Sequence, residues 1–276
     1  MNVNEITFGI EFEITMPSEN APVVGRYHVG RQIDGLPIGW NAQGDCSISA
    51  GPGRIGVEVV SPVLSGADGL RQIQLVCEWM NNLGAEVNSS TGCHVHVGFD
   101  RTNKDGLKRL IAMVANHEQG IFATTGSKSR ENNRFCKGVR SSAEAKTIYE
   151  NGLPSYADRY HVLNVANLAS NGKPTVEFRA FGGTTNATKS IGYVRLAVGF
   201  VQRACTETRG RKFGRAYPAS LNNGVSAFRR MAKFLGWTGK TTDTVWGGIE
   251  DETVKSIEAT TKELLRLAKK YDAATA

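Results

Sequence analysis

The sequence predicts an α+β protein with a largely antiparallel sheet that has one polar face and is backed by helices. Segments in which apolar and polar residues alternate, as in half-buried strands, are interspersed with segments that keep helical spacing. Several of the strands carry charged or imidazole groups on one face only. With 276 residues, 40% of them hydrophobic, the chain is long enough for one large globular domain.

The first strand is the segment FGIEFEI, residues 8 to 14. Side chains alternate across a strand, so Phe8, Ile10 and Phe12 point to one side while Glu11 and Glu13 point to the other. The first side is predicted to be buried. The second carries two carboxylates two residues apart.

The next elements follow along the chain. A polar, Gly-rich stretch covers about residues 17 to 44, and a hairpin is predicted around SAGPGRIGVEVVSPVL, at 49 to 64. Its GxGxxG string runs into a strand rather than a helix, so it does not meet the dinucleotide-binding fingerprint. Helical spacing predicts a helix from about Asp68 to Gly84. TGCHVHVGF then reads as a strand, followed by a helix at about 104 to 122.

A long polar segment from 124 to 160 shows no regular period, and a connection of this length inside a compact domain is typical of a functional lid. HVLNVANL and TVEFRAF are predicted to pair as strands through the turn SNGKP, and an apolar helix follows at about 189 to 204. Two or three polar-faced helices are expected after it. We therefore predict a main domain over 1 to 205 and a C-terminal helical extension, 206 to 276, packed on it.

Polar groups on four strands are predicted to share one face of the sheet if the strands pair. These groups are Glu11, Glu13, Glu58, His94, His96, Glu177 and Arg179. Crowded carboxylates repel one another unless cations neutralise them, and oxygen ligands with one or two imidazoles suit Mg²⁺ or Mn²⁺. The face therefore indicates metal binding. A solvated face of an antiparallel sheet has the same pattern, and HVH also occurs in metal-dependent hydrolases, which is the main alternative function.

The chain is basic, with a formal net charge of +7 and a pI near 9.2, which favours an anionic partner: nucleic acid, a nucleotide or a polyanionic substrate. A non-enzymatic nucleic-acid-binding protein is a further alternative, based on a basic run in the last third. Its members are Arg203, Arg209, Arg211, Lys212, Arg215, Arg229, Arg230 and Lys233. Solvated helix faces explain that run more simply, so nucleic acid is not the expected partner.

The sequence also bears on the cellular location of the protein and on the redox state of its cysteines. The sequence has no signal-peptide pattern and no apolar run of the roughly 20 residues that a membrane helix needs. A cytoplasmic protein without a membrane partner is expected. Its five widely spaced cysteines form no CxxC pair and are predicted to be reduced packing residues.

The residues of these motifs and their order along the chain resemble the amidoligase family, a branch of the glutamine synthetase and glutamate-cysteine ligase superfamily of carboxylate-amine ligases. The resemblance covers about the first 200 residues and does not include the closing helices. The matching pieces are FGIEFE at 8 to 13, the Asp45-Cys46-Ser47 segment leading into VEVVSPVL at 57 to 64, TGCHVHVG at 91 to 98, LNV at 163 to 165 and TVEFRAFGGT at 175 to 184. It implies a glutamine synthetase-like catalytic fold.

The resemblance also implies a two-metal site. Glu11 and Glu13 would each bind a different ion, and Glu58 would join the ion of Glu13. His94 and Glu177 would complete the site of the other ion.

The family pattern further implies that His96 and Arg179 face the terminal phosphates of ATP. Asp45, Arg159 and Asn164 are assigned to substrate or nucleotide contacts. The implied catalytic residues are Arg179 and Glu177.

The implied reaction is amide formation from a carboxylate and an amine at the expense of ATP, through an acyl phosphate. The amino acid, peptide or protein that supplies each group, the general base and the oligomeric state are open. Guanidino-phosphagen kinases share this fold class, but the motifs are those of the ligases.

Overall fold

The computed structural model describes residues 5–22, 24–26, 29–154, 158–169, 174–215, 217–237 and 253–274. Six strands form one antiparallel sheet in the order β2-β3-β1-β4-β6-β5. The strands are β1 Phe8–Pro17, β2 Asn41–Gly44, β3 Arg54–Val60, β4 Gly92–Gly98, β5 Leu163–Asn164 and β6 Thr175–Gly182. The predicted α+β class with a largely antiparallel sheet is confirmed.

The alternation in β1 determines which face of the sheet is buried. Phe8, Ile10 and Phe12 lie in the core, whereas Glu11 and Glu13 are only half-buried on the opposite face. The same two-residue period runs through the neighbouring strands, whose apolar side chains join one continuous core. One face of the sheet therefore remains available for polar groups.

Helices cover the apolar face. Within the described residues they are α1 Gly66–Asn82, α2 Lys104–Ala123, α3 Ala143–Asn151, α4 Ala187–Thr206, α5 Gly224–Phe234 and α6 Ile257–Ala273. α4 contacts β1, β4, α1, α2 and α6, which explains why its sequence is apolar on most sides. None of the described helices combines the length and apolar character that crossing a membrane requires.

Most of these helices begin with a side-chain cap. The capping oxygen accepts a hydrogen bond from the backbone N–H three residues later, an interaction that stabilises a helix by about 1 kcal/mol. The capping residues are Asn103, Ser142, Asn186, Asn223 and Ser256. The N-terminal boundaries of α2 to α6 are therefore encoded locally.

Two elements differ from the sequence prediction. The short strand β2 lies inside the stretch expected to be irregular, and α3 lies inside the predicted polar segment 124 to 160. α3 buries only two apolar residues, Ala145 and Ile148, which is too few to produce a recognisable period. Most of the predicted turn SNGKP lies outside the described residues.

The C-terminal helices pack on the rest of the chain. α5 and α6 contact each other, and both contact α2, while α6 also contacts α4. The division at residue 205 stays a prediction. All five cysteines are free, as expected, but Cys46 is exposed, so a packing role is wrong for that residue.

Candidate active site

Cross-strand register brings the polar residues of neighbouring strands face to face. The directly opposed pairs, from one sheet edge to the other, are Gln43 with Glu58, Glu58 with Glu13, Glu11 with His94, His96 with Glu177, and Glu177 with Asn164. Opposed side chains on one face of an antiparallel pair are near neighbours. Pairing of the strands thus assembles the polar face that the sequence predicts.

A cavity of about 700 Å³ opens over this face. Every site residue expected from the sequence lines it: Glu11, Glu13, Asp45, Glu58, His94, His96, Arg159, Asn164, Glu177 and Arg179. Residues of the 124 to 160 segment also line the cavity, among them Phe135 and Tyr160. The two rings meet edge to face with centroids 5.3 Å apart.

A β-bulge in β6 shapes the centre of the site. The register with β4 shifts between Cys93 and Val95, because β6 has one extra residue there. The buried Arg130 binds this irregular backbone: its Nε donates to the carbonyl of Ala180 at 3.1 Å and its Nη2 to the carbonyl of Arg179 at 2.8 Å. The segment that follows α2 is thereby fixed to the strand that carries Glu177 and Arg179.

Among the residues that the structure describes, three groups of ligand atoms lie close enough together to hold a cation. Within each group the atoms are no more than 4.8 Å apart. The groups are Glu13, Asp45 and Glu58; Glu11, His96 and Glu177; and Glu11, Glu58 and His94. The first unites the two residues implied for one ion and adds Asp45. The second contains His96 where the resemblance implies His94.

Comparison with known protein families gives a match over most of the chain. Residues 4–201 match the model of a family described as "Putative amidoligase enzyme". The chain belongs to the amidoligase family. The resemblance seen in the sequence is thus confirmed, and membership supports an amide-forming ligase in general.

Other comparisons are more distant. A solved structure titled "Apo GmaS without ligand" is similar to this amidoligase with a TM-score of 0.44 and 10% identity, covering 98% of this chain and 70% of that one. No curated protein matches the sequence.

The two histidines of the amidoligase lie between the carboxylates of β1 and β6. Nδ1 of His94 is 3.3 Å from Glu11 Oε2 and 3.7 Å from Glu177 Oε1. Nε2 of His96 is 3.0 Å from Glu11 Oε1 and 3.8 Å from Glu177 Oε1. Both imidazoles can therefore serve either as ligands beside these carboxylates or as their counter-charges.

The charges of Glu11, Glu177 and the neighbouring imidazoles stabilise one another. Burial alone would raise the pKa of Glu11, but the imidazoles of His94 and His96 outweigh it and hold the pKa well below its usual range. Burial would likewise raise the pKa of Glu177, and the two imidazoles with the Arg179 guanidinium lower it. Burial alone would lower the pKa of His96, whereas the adjacent carboxylates raise it to about 9. These carboxylates are thus ionised and available to cations.

The end of the site that is formed by Glu13, Asp45 and Glu58 has an excess of negative charge. Burial, followed by the charge of Glu11, raises the pKa of Glu58 to about 7. Gln43 of β2 donates a hydrogen bond to Glu58, and the backbone N–H of Gly92 donates to Glu13 Oε2 at 2.5 Å. Near neutral pH, a cation at this end would therefore replace a proton on Glu58.

Arg179 and Glu177 form a buried pair on β6. The Arg179 Nη1 donates to Glu177 Oε1, and the Asn164 Nδ2 donates to Glu177 Oε2 at 2.7 Å. The Arg179 guanidinium also lies over the Tyr160 ring, with its Cζ 5.7 Å from the centroid. Asn164 thus orients a carboxylate, whereas the sequence suggested a substrate or nucleotide contact.

Sequence reasoning missed Gln43 and Arg130. Gln43 lies on a strand of four residues, NAQG, that has no large apolar side chain, so no alternation marked it. Arg130 lies in the segment expected to be a lid, where its charge was visible in the sequence but its buried contact with the bulge was not. Asp45, Arg159 and Asn164 do line the cavity, and their roles stay predictions.

Proposed function

We propose that this amidoligase is an ATP- and Mg²⁺-dependent carboxylate-amine ligase that forms an amide through an acyl phosphate. The observation that carries the proposal is the single cavity in which carboxylates and imidazoles from four strands meet the buried Arg179, in a member of the amidoligase family. Formation of an acyl phosphate requires that the negative charge on the transferring phosphoryl group be neutralised. The site provides carboxylates that can hold cations and a guanidinium that is itself a cation.

The donor set fits divalent metal ions. Glu13, Glu58 and Asp45 would hold one ion, and Glu11 and Glu177 with an imidazole of HVH would hold the other. The Nε2 atom of His96 lies 3.0 Å from Glu11 Oε1 and 3.8 Å from Glu177 Oε1, so a cation bound between these carboxylates would contact this nitrogen once the imidazole has lost its proton. Bound Mg²⁺ would supply neutralisation of the nucleotide phosphates and of the acceptor carboxylate.

Arg179 is the residue that we assign to transition-state stabilisation. A guanidinium keeps its charge at any working pH, and this one is held in place by Glu177, by the Phe135 carbonyl 3.5 Å from its Nε and by the Tyr160 ring. In the first step the substrate carboxylate attacks the γ-phosphorus and ADP leaves. The charge that spreads over the transferring phosphoryl oxygens would be met by Arg179.

The second step is attack of the amine on the acyl phosphate, which releases inorganic phosphate and one proton. Water competes with the amine, so the cavity must limit solvent. Phe135 and Tyr160 stand at its wall. Arg159 lines the same cavity and is suited to nucleotide phosphate.

Calorimetry of ATP binding with and without Mg²⁺ tests the nucleotide site. We expect Mg²⁺-dependent binding that Glu11→Gln and Glu177→Gln each weaken at least tenfold. Glu78→Gln, an exposed change on α1, is the matched control and should bind like the wild type. Absence of ATP binding by folded wild-type protein would refute the proposal.

Turnover separates the candidate reactions. Release of phosphate from ATP only when a carboxylate and an amine are both present is the expected result for a ligase. Hydrolysis of amides or esters without ATP would instead identify a metal-dependent hydrolase that uses HVH. Stable transfer of phosphate to a guanidino group would identify a kinase.

A further inference from the structure

A second pocket lies away from the polar face, between α2, α5 and the connection that follows α4. It encloses about 220 Å³ and shares no lining residue with the active-site cavity. Its walls gather much of the basic run that the ligase chemistry does not use. Arg211, Lys212 and Arg215 line it, and Arg230 lies over the ring of Tyr217, a further lining residue, with its Cζ 3.7 Å from the centroid.

Positive charge in this pocket exceeds the negative charge provided by the protein. Glu207 binds Arg203 at 2.8 Å and Arg211 at 2.6 Å, so one carboxylate serves two guanidinium groups. Within the described part of the chain, Lys212 and Arg230 form no salt bridge. Crowded cations repel one another, so the pocket would be stabilised by an anion.

The pocket also has a buried polar atom in need of a partner. His117 of α2 lines it and is 6% exposed, and its ring stacks on Phe234 with centroids 4.6 Å apart. The Nδ1 atom has no hydrogen-bond partner among the described residues. A buried polar atom is ordinarily hydrogen-bonded, so this one points to a bound ligand or water.

The frame around the cations is fixed rather than loosely solvated. Asn116 accepts from the backbone N–H of Arg215 at 2.6 Å and donates to the carbonyl of Lys212 at 2.8 Å, which holds the loop between them. Arg230 donates to the carbonyl of Leu221 at 2.7 Å while it stacks on Tyr217. Solvated helix faces would not need such contacts.

We propose that this pocket is a binding site for a small anion that carries one or two phosphate groups. A carboxylate has one charge and two oxygens, whereas phosphate has more of both and matches several guanidinium donors at once. The enclosed volume suits such an ion. A duplex backbone, which presents its phosphates on a convex surface, would not reach His117, which is only 6% exposed.

Calorimetry with sodium pyrophosphate and with inorganic phosphate, in EDTA buffer at constant ionic strength, tests the proposal. We expect saturable binding by wild-type protein and at least a tenfold loss of affinity in Arg215→Gln. Arg229→Gln, a change at an exposed position beside Arg230, is the matched control and should bind like the wild type. Both changed positions are exposed, so the fold should be preserved.

A second measurement reports on the buried His117 of the pocket. In ¹⁵N-labelled protein, pyrophosphate should shift the ring nitrogens of His117, and the shift should be lost in Arg215→Gln. Equal affinity in both variants, or no shift at His117, would overturn the proposal. Retention on duplex DNA that Arg215→Gln and Arg229→Gln weaken equally, without saturable pyrophosphate binding, would also overturn it and indicate a nucleic-acid surface.

Discussion

Protonation of His117 is expected to limit the stability of the protein in acid. Burial, and then the positive charges of Arg230 and Arg211, lower the pKa of this imidazole from 6.5 to about 3. The unfolded chain therefore binds the proton more readily than the folded chain once the pH falls below about 6.5. Stability that is present above that pH is lost progressively down to about pH 3. Between pH 7 and pH 4 the loss amounts to roughly 3 kcal/mol, a large share of the 5–15 kcal/mol typical of a domain.

The assay is urea unfolding followed by circular dichroism at pH 7 and pH 4, in buffers without multivalent anions. His117→Phe keeps a ring against Phe234 and Phe200 but cannot titrate. The difference in unfolding free energy between the two pH values should be about 3 kcal/mol smaller in this variant than in the wild type. The reasoning would be refuted by an identical pH dependence in the two proteins.

Three further changes test the architecture of the active site. A Cβ on Gly92 would lie 3.0 Å from Oε2 of Glu13, so Gly92→Ala should weaken Mn²⁺ binding measured by electron paramagnetic resonance. Gly182 lies directly opposite Gly92 and has open space around it, so Gly182→Ala should leave Mn²⁺ binding unchanged. Arg130→Ala leaves two buried carbonyls of the bulge without their donor and should lower the unfolding free energy by about 2–4 kcal/mol in urea titrations; Arg134→Ala, at an exposed position nearby, should change it by less than about 0.5 kcal/mol. Asn164→Ala removes the amide that orients Glu177 and should reduce the Mg²⁺ affinity, measured by calorimetry, about 10–100-fold.

Each of these has a contrary outcome. Equal Mn²⁺ affinities in the two glycine variants would show that the crowded position does not support the metal site. Equal stabilities of the two arginine variants would mean that Arg130 does not hold the bulge. Unchanged Mg²⁺ affinity without the Asn164 amide would remove its role as a positioning residue.

Alternation in the sequence was sufficient to predict the polar face because its residues sit on strands with strongly apolar partners. Glu11 and Glu13 are each flanked by buried Phe or Ile, and Glu58 is flanked by buried valines. The period of two then determines the face without knowledge of the pairing. Register was not available from the sequence, yet it decides which groups meet, such as His96 opposite Glu177.

Features that depend on tertiary contacts were out of reach. The bulge in β6 follows from pairing with β4 and from the contact with Arg130, and TVEFRAF alone reads as a regular strand. β2 is held by hydrogen bonding to β3, with no propensity of its own to mark it. The second pocket also needed the structure, because Asn116 and His117 on α2 complete it far from the basic run in the sequence.

The strand order affects the protein during its synthesis. β1 leaves the ribosome before its neighbours in the sheet, β3 and β4. At 5–20 residues per second, β4, which begins at Gly92, emerges about 4–17 s after β1, which begins at Phe8. During that interval FGIEFEITMP exposes an apolar edge that could pair with other chains. Glu11 and Glu13, alternating with its apolar residues, oppose such pairing, so the carboxylates of the site also protect the nascent chain from aggregation.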